Sequence, residues 1–212
     1  MLIAISSAAA TYHNPAWSQQ GAAITLEEVL VTAQKREQNL QEVPVSITAF
    51  TATELANKGI NTITELEKSV PNTQFRASRA TNSTLTAYIR GVGQQDPLWG
   101  FEPGVGVYVD DVYYARPQAA VMDVFDVERI EVLRGPQGTL YGKNTVGGAI
   151  KYITRRMTGE AEGKIAVATG PYDQQDVNIS AQLPIIDNEL YIGAAIARKE
   201  RDGYGSVDTG YD

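Results

Sequence analysis

Between Val43 and Thr154 the chain reads as short alternating segments separated by turn formers. Pro44 to Phe50 sets Val45, Ile47 and Ala49 against Ser46 and Thr48, the period-two pattern of a half-buried strand. Two short helices are expected next. Thr51-Ala52-Thr53-Glu54 and Thr62-Ile63-Thr64-Glu65 are capping boxes; Gly59 stands where a C-cap falls, and Pro71 stops the second helix. Asn72 to Ser83 is polar and basic, with Arg76 and Arg79, and is expected to be loop. Leu85 to Arg90 predicts a strand stopping at Gly91-Val92-Gly93. Val105 to Val109 and Val112 to Tyr114 predict a hairpin turning at Asp110-Asp111. Ala149 to Thr154 predicts a last strand of this region.

Asp126 to Arg134 is also strand-like but has no clean face, because Glu128, Arg129, Glu131 and Arg134 interleave with Val127, Ile130, Val132 and Leu133. An ordinary core does not accept that many charges; a domain enclosed by a polar wall does, if the charges find partners there.

The last third changes style. Lys164 to Thr169, Asp176 to Ile185 and Glu189 to Arg198 are long segments with one apolar face: Val177, Ile179, Ala181 and Leu183 in one, Leu190, Ile192, Ala194 and Ile196 in the next. A turn is expected at Asp187-Asn188. Such segments match transmembrane β-strands, or an antiparallel meander in a soluble sandwich; their length and uncovered apolar face favour the membrane. At the other end, Val29 to Thr32 has strand character without an evident sheet partner, and fits an edge strand or a free strand awaiting a partner's sheet. The opening stretch has an apolar run from Leu2 to Ala10 and a small-x-small pattern at Ala16 to Ser18, but no Lys or Arg before Lys35. It reads as a truncated export signal in preference to a simple apolar tail.

Composition narrows the chemistry. A chain of 212 residues with 43% hydrophobic residues can build a core, and a net charge of -7 argues against general nucleic-acid binding. There is no cysteine and only one histidine, His13. Thiolate catalysis, disulfides, cysteine-bound metal and multi-histidine metal sites are therefore excluded. Gly142-Lys143 is not a P-loop: Gln137 stands where the first glycine belongs, and Asn144 replaces the magnesium-binding hydroxyl. GVGVYV at Gly104 to Val109 lacks the third glycine of a dinucleotide fingerprint. A turn accounts for Asp110-Asp111 better than a calcium site. No catalytic residue, metal or cofactor is expected. Gln94 to Gly104 is rich in turn formers, and its aromatics Trp99 and Phe101 either bind a ligand or pin the loop.

Three motifs then carry a resemblance: IRGVG (Ile89 to Gly93), VYVDDVYY (Val107 to Tyr114) and VERIEVLRGPQGTLYGKNTVGGAIKYIT (Val127 to Thr154). Together they resemble the plug domain of TonB-dependent outer-membrane receptors, and LEEVLVTAQKRE (Leu26 to Glu37) resembles the TonB-box region that precedes it. The resemblance implies an α+β chain. Residues 1–23 are a truncated signal peptide and leader, and 24–42 the TonB-box region and linker. Residues 43–158 are a plug with a small mixed sheet and short helices. Residues 159–212 are the first antiparallel strands of an incomplete transmembrane β-barrel.

It further implies that Glu28, Val29, Leu30, Val31, Thr32 and Ala33 bind TonB, powered through ExbB-ExbD, by strand addition on the periplasmic side. Arg90, Glu128, Glu131 and Arg134 are the expected plug–barrel contacts; the alternative for each arginine is a salt bridge within the plug to Glu128 or Glu131. Gln94, Gln95, Trp99 and Phe101 are expected to face a scarce solute such as a ferric siderophore, haem or cobalamin, and outer-membrane lipid is the expected surround. A barrel of roughly 22 strands at ~9–11 residues each needs over ~200 residues. The residues after Thr154 supply about three strands, so this chain is expected to be a fragment, a shortened product or part of a split protein. The competing class is a soluble periplasmic binding or signalling module built on the same domain.

Overall fold

The computed structural model describes residues 29–78, 81, 83–96, 98, 100–118, 120–122, 124, 126–186, 189–203 and 205. The export-signal reading, Glu28, Arg79, Trp99 and the Asp187-Asn188 turn lie outside these residues.

In chain order the elements are β1 (Leu30–Val31), β2 (Gln38–Asn39), β3 (Ile47–Thr51), α1 (Ala52–Asn57) and a 3-10 helix over Ile63–Lys68. Then come β4 (Thr73–Ala77), β5 (Leu85–Ile89), β6 (Val92–Gly93), β7 (Val105–Val109) and β8 (Val112–Tyr114). They are followed by β9 (Val127–Arg134), α2 (Gly138–Tyr141), β10 (Gly148–Thr154), β11 (Glu162–Gly170), β12 (Gln174–Ile186) and β13 (Leu190–Glu200). Both capping boxes form: the Glu54 and Glu65 side chains return to the backbones of Thr51 and Thr62.

A mixed five-stranded sheet, ordered β3-β9-β10-β7-β8, is the centre of the fold. Only β7 and β10 run parallel; the other pairs are antiparallel. One face carries the main apolar core, where Phe50, Leu55, Ile63, Leu66, Phe75 and Ile89 pack on Ile130, Val132 and Ile150. Helix α1, the 3-10 helix and the β4-β5-β6 sheet cover this face. The opposite face is covered by the segment around β1, with Val31, Ala33 and Val43 packing on Tyr108, Leu133, Tyr141 and Ala149. The charged strand β9 is therefore covered on both faces, and its charges Arg129 and Glu131 are enclosed by this same domain, while Glu128 and Arg134 are half-buried.

Two readings change. Thr73–Ala77 is a strand paired with β5 rather than loop. Only Thr73 and Phe75 turn inward, while Gln74 and Arg76 face solvent, so its polar composition hid a short edge. The glycine-rich stretch after β9 also contains a helical turn, α2, which delivers Tyr141 to the second face. Gly148 (φ +151) must be glycine, because a Cβ there runs into the Leu133 carbonyl. The hairpin forms as read: Asp110 and Asp111 (φ 46 and 66) make a two-residue loop between Val109 and Val112.

The last three strands form a separate antiparallel sheet, β11-β12-β13. Its register aligns Ile165, Ile179 and Ile196 in one row and Leu183 with Ile192 in another. These side chains point outward, with Ile165 73%, Ile179 44% and Ile196 68% exposed. The alternate positions turn toward the first domain. Gln182 is buried, donating to Thr158 Oγ1 at 2.7 Å and to Glu162 Oε2 at 3.1 Å, while Arg155 bridges Glu162 at 3.1 Å. The sheet is thus apolar outside and polar inside, the reverse of a water-soluble domain.

Candidate functional site

The segment read as a TonB box is docked. Leu30 and Val31 pair with Asn39 and Gln38, a local partner that sequence reading did not foresee. Val31 and Ala33 are 0% and 1% exposed, whereas Leu30 remains 46% exposed. Alternation does this: one side of the strand enters the second core and the other faces out.

Thr32 sits over a buried charge cluster. Its backbone N–H donates to Glu131 Oε1 at 2.8 Å and its hydroxyl donates to the same oxygen at 3.2 Å. Lys151 Nζ donates to the Thr32 carbonyl at 3.0 Å and to Thr32 Oγ1 at 2.8 Å. Lys151 also pairs with Asp111 at 3.1 Å and lies 3.9 Å from Glu131 Oε2. Arg129 Nε donates to Glu131 at 2.9 Å, and its guanidinium also engages Glu128.

Glu131 and Lys151 are 0% and 1% exposed. Their charges are tolerable there only because each is paired and hydrogen-bonded. The Tyr141 hydroxyl completes the seat, donating to the Ala33 carbonyl at 2.7 Å. Burial, then the nearby Glu131, Asp111 and Tyr108, push its ionisation upward, so it remains a neutral donor.

The expected plug–barrel residues separate. Glu131 is wholly internal, and Glu128 is held by Arg129 with its side chain 41% exposed. Among the described residues, the internal bridges to Glu128 and Glu131 come from Arg129 and Lys151, not from Arg90 or Arg134. Arg90 is exposed, left-handed (φ 53) and lies over Gly135, whose absent Cβ would sit 3.1 Å from Nη1. Arg134 is half-buried at the end of β9, where its Nε is buried without a hydrogen bond. The two motif arginines thus reach the same corner. Lys143 pairs with Glu102 at 3.0 Å, with both side chains largely exposed.

Gln94, Gln95 and Phe101 do come together. They line one cavity with Asp96, Pro103, Tyr114 and Arg116, floored by Leu85, Ala87, Val105 and Val107. Phe101 is 49% exposed, so it is not simply pinned to the core. Sequence reasoning missed Arg129, Lys151, Asp111 and Tyr141 at the docked strand, and Tyr114 and Arg116 at the cavity. The signal for Lys151 was available: a single charge inside the apolar run Gly148 to Thr154 demands a buried anion.

The family model for the TonB-dependent receptor plug domain matches residues 39–149. This chain belongs to the TonB-dependent receptor family. It is 31% identical to the pesticin receptor of Yersinia pestis over 82% of its length and 26% of that protein's. It is 28% identical to an iron-regulated outer membrane virulence protein of Vibrio cholerae, over 88% of this chain and 30% of that one. The ferric yersiniabactin uptake receptor of Yersinia pestis superposes with a TM-score of 0.65 at 30% identity, over 73% of this chain and 24% of that one.

The ferripyoverdine receptor of the Pseudomonas aeruginosa outer membrane gives 0.66 at 19% identity, over 82% and 22%, which is likeness of fold. The chain therefore spans about a quarter of the length of the first relatives it matches. The Vibrio cholerae relative is a protein of the outer membrane by name, the relatives are receptors rather than enzymes, and this plug with its antiparallel strands is placed in the outer membrane with its family.

Proposed function

We propose that the chain is the plug and first barrel strands of a receptor for energised uptake of an iron chelate, with Glu28 to Ala33 as its TonB-docking strand. The observation that carries the reading is the state of that strand. Leu30–Val31 is extended, held by a partner of only two residues, and fastened through side chains rather than a long ladder. A segment held this way can leave the sheet and offer its backbone to another protein's strand. TonB, with ExbB-ExbD behind it, is the partner that fits on the periplasmic side. Arg90 and Arg134, gathered at one corner, are proposed to dock on acidic groups of the barrel wall. The cavity of Gln94, Gln95 and Phe101, with Trp99 beside them in sequence, is proposed to face the solute.

An iron chelate is preferred over cobalamin because relatives near 30% identity include a ferric yersiniabactin uptake receptor, while the vitamin B12 transporters stand at 24–27%. The outward apolar face of β11 to β13 disfavours a soluble periplasmic module. The test is direct. A peptide of residues 24–37 should bind the TonB C-terminal domain, and Val31→Pro should weaken binding at least tenfold by removing a ladder donor. Equal binding by both peptides removes the box assignment. Binding of ferric siderophores, haem and cobalamin to the purified receptor decides the solute.

A further inference from the structure

The cavity and the docked strand are joined by one short element. Strand β8 is the edge of the five-stranded sheet and has only β7 as neighbour. At its far end Tyr114 forms part of the cavity wall with Gln94, Gln95 and Phe101. At its near end the turn residue Asp111 reaches Lys151 at 3.1 Å, and Lys151 holds both the carbonyl and the hydroxyl of Thr32.

Lys151 and Arg129 share a single fully buried carboxylate, Glu131. The second anion paired with Lys151, which holds it in place, is Asp111 at 3.1 Å. Its neighbour Asp110 does something else, accepting from the Thr154 N–H at 2.9 Å and from its hydroxyl at 2.7 Å.

We propose that Asp111 is the positioning residue that couples the loop cavity to the TonB-docking strand: β8 at rest keeps Asp111 on Lys151, and a shift of β8 from its cavity end frees Thr32. The inference rests on the proposed roles of the box and the cavity. It requires a discrete element that both sites bias, and an edge strand of three residues supplies one.

The chain has no cysteine, so Ala33→Cys places a single thiol under the docked strand, and Val70→Cys places one in the opposite core, away from the cavity. In the full chain in detergent, Asp111→Asn, which suits the left-handed turn, should raise maleimide labelling at position 33 about fivefold. Tyr114→Ala, at the cavity end, should raise it in the same direction. Asp110→Asn should leave it unchanged, and position 70 should not respond to any of the three. The proposal is overturned by an unchanged rate in Asp111→Asn or Tyr114→Ala, by an equal rise in Asp110→Asn, or by a parallel rise at position 70. Labelling involves no TonB, so its outcome is separable from failure of the peptide-binding test.

Discussion

The two sheets of this chain treat polarity in opposite ways. The five-stranded sheet buries Arg129, Glu131 and Lys151 beneath the docked strand, while the three-stranded sheet exposes Ile165, Ile179, Ile192 and Ile196. Each arrangement is unfavourable in an ordinary water-soluble core. In the first sheet, Arg129 and Lys151 share Glu131, each with a second anion in Glu128 and Asp111, and the cluster seats Thr32. In the second, Lys164, Ser180 and Gln182 take the side toward the first domain and leave the apolar rows facing outward. The contrast separates two kinds of environment. The first sheet brings its polar partners with it; the second needs an apolar cover outside, the face that transmembrane strands turn to lipid.

Removing one member of the buried cluster should give the largest effect. Glu131→Gln leaves Arg129 and Lys151 inside without their shared anion, and should destabilise the domain by about 3–5 kcal/mol in denaturant titrations. Replacing all three with Arg129→Met, Glu131→Leu and Lys151→Met should recover most of that loss, because apolar groups of similar volume need no partners. Thr32 would then lose its acceptor and its donor, so the repacked variant should be stable yet hold the docked strand loosely. A triple variant no more stable than Glu131→Gln would mean that the cluster is not a self-contained set.

The second sheet is tested from outside. Ile179→Lys puts a charge in the outward row, whereas Ser180→Lys puts the same charge on the inner, polar side. A lysine facing the middle of a bilayer is disfavoured by about 2–4 kcal/mol, so partition of the chain into phosphatidylcholine vesicles should fall by roughly 30-fold or more in Ile179→Lys. It should change little in Ser180→Lys. If the two variants partition alike, the sheet does not present one face to lipid.

Most of this architecture is legible in alternation and capping. The rows Val177–Leu183 and Leu190–Ile196 appear in the sequence and keep their faces in the sheet. Thr51 and Thr62 announce their helices. What is not legible depends on neighbours distant in sequence. Nothing in β9 says that Glu131 lies opposite Lys151, because the loop and helical turn between them set the register. Nothing in Val29 to Thr32 names the face that receives it. β4 escaped because two inward side chains in five residues make a weak signal. Phe101 and the glutamines share a cavity with Tyr114 because of strand order, which local pattern does not carry.

A smaller effect examines whether the docked strand makes the second face a true interior. Tyr108 lies there, 3% exposed, and its hydroxyl donates to the Tyr141 carbonyl at 2.7 Å. Burial, and then Tyr113, push its ionisation up to about 12 from the ordinary 10.0. The folded form therefore holds this proton more tightly than the unfolded chain. Its contribution to stability is complete below pH 10 and is lost as pH rises from there toward about 12. Tyr108→Phe removes the titrating group and the hydrogen bond together. The variant should start about 1 kcal/mol less stable near neutral pH and then show a shallower alkaline decline than the parent. Denaturant midpoints measured from pH 8 to 12 resolve the two slopes (roughly 1–2 kcal/mol across that range). Parallel curves would mean that water reaches Tyr108, and that the strand above it covers the sheet without sealing it. A shallower curve in the variant means that the segment carrying Thr32 excludes water from the charges it rests on. In that case its departure opens the cluster to solvent at the moment the strand becomes available to a partner.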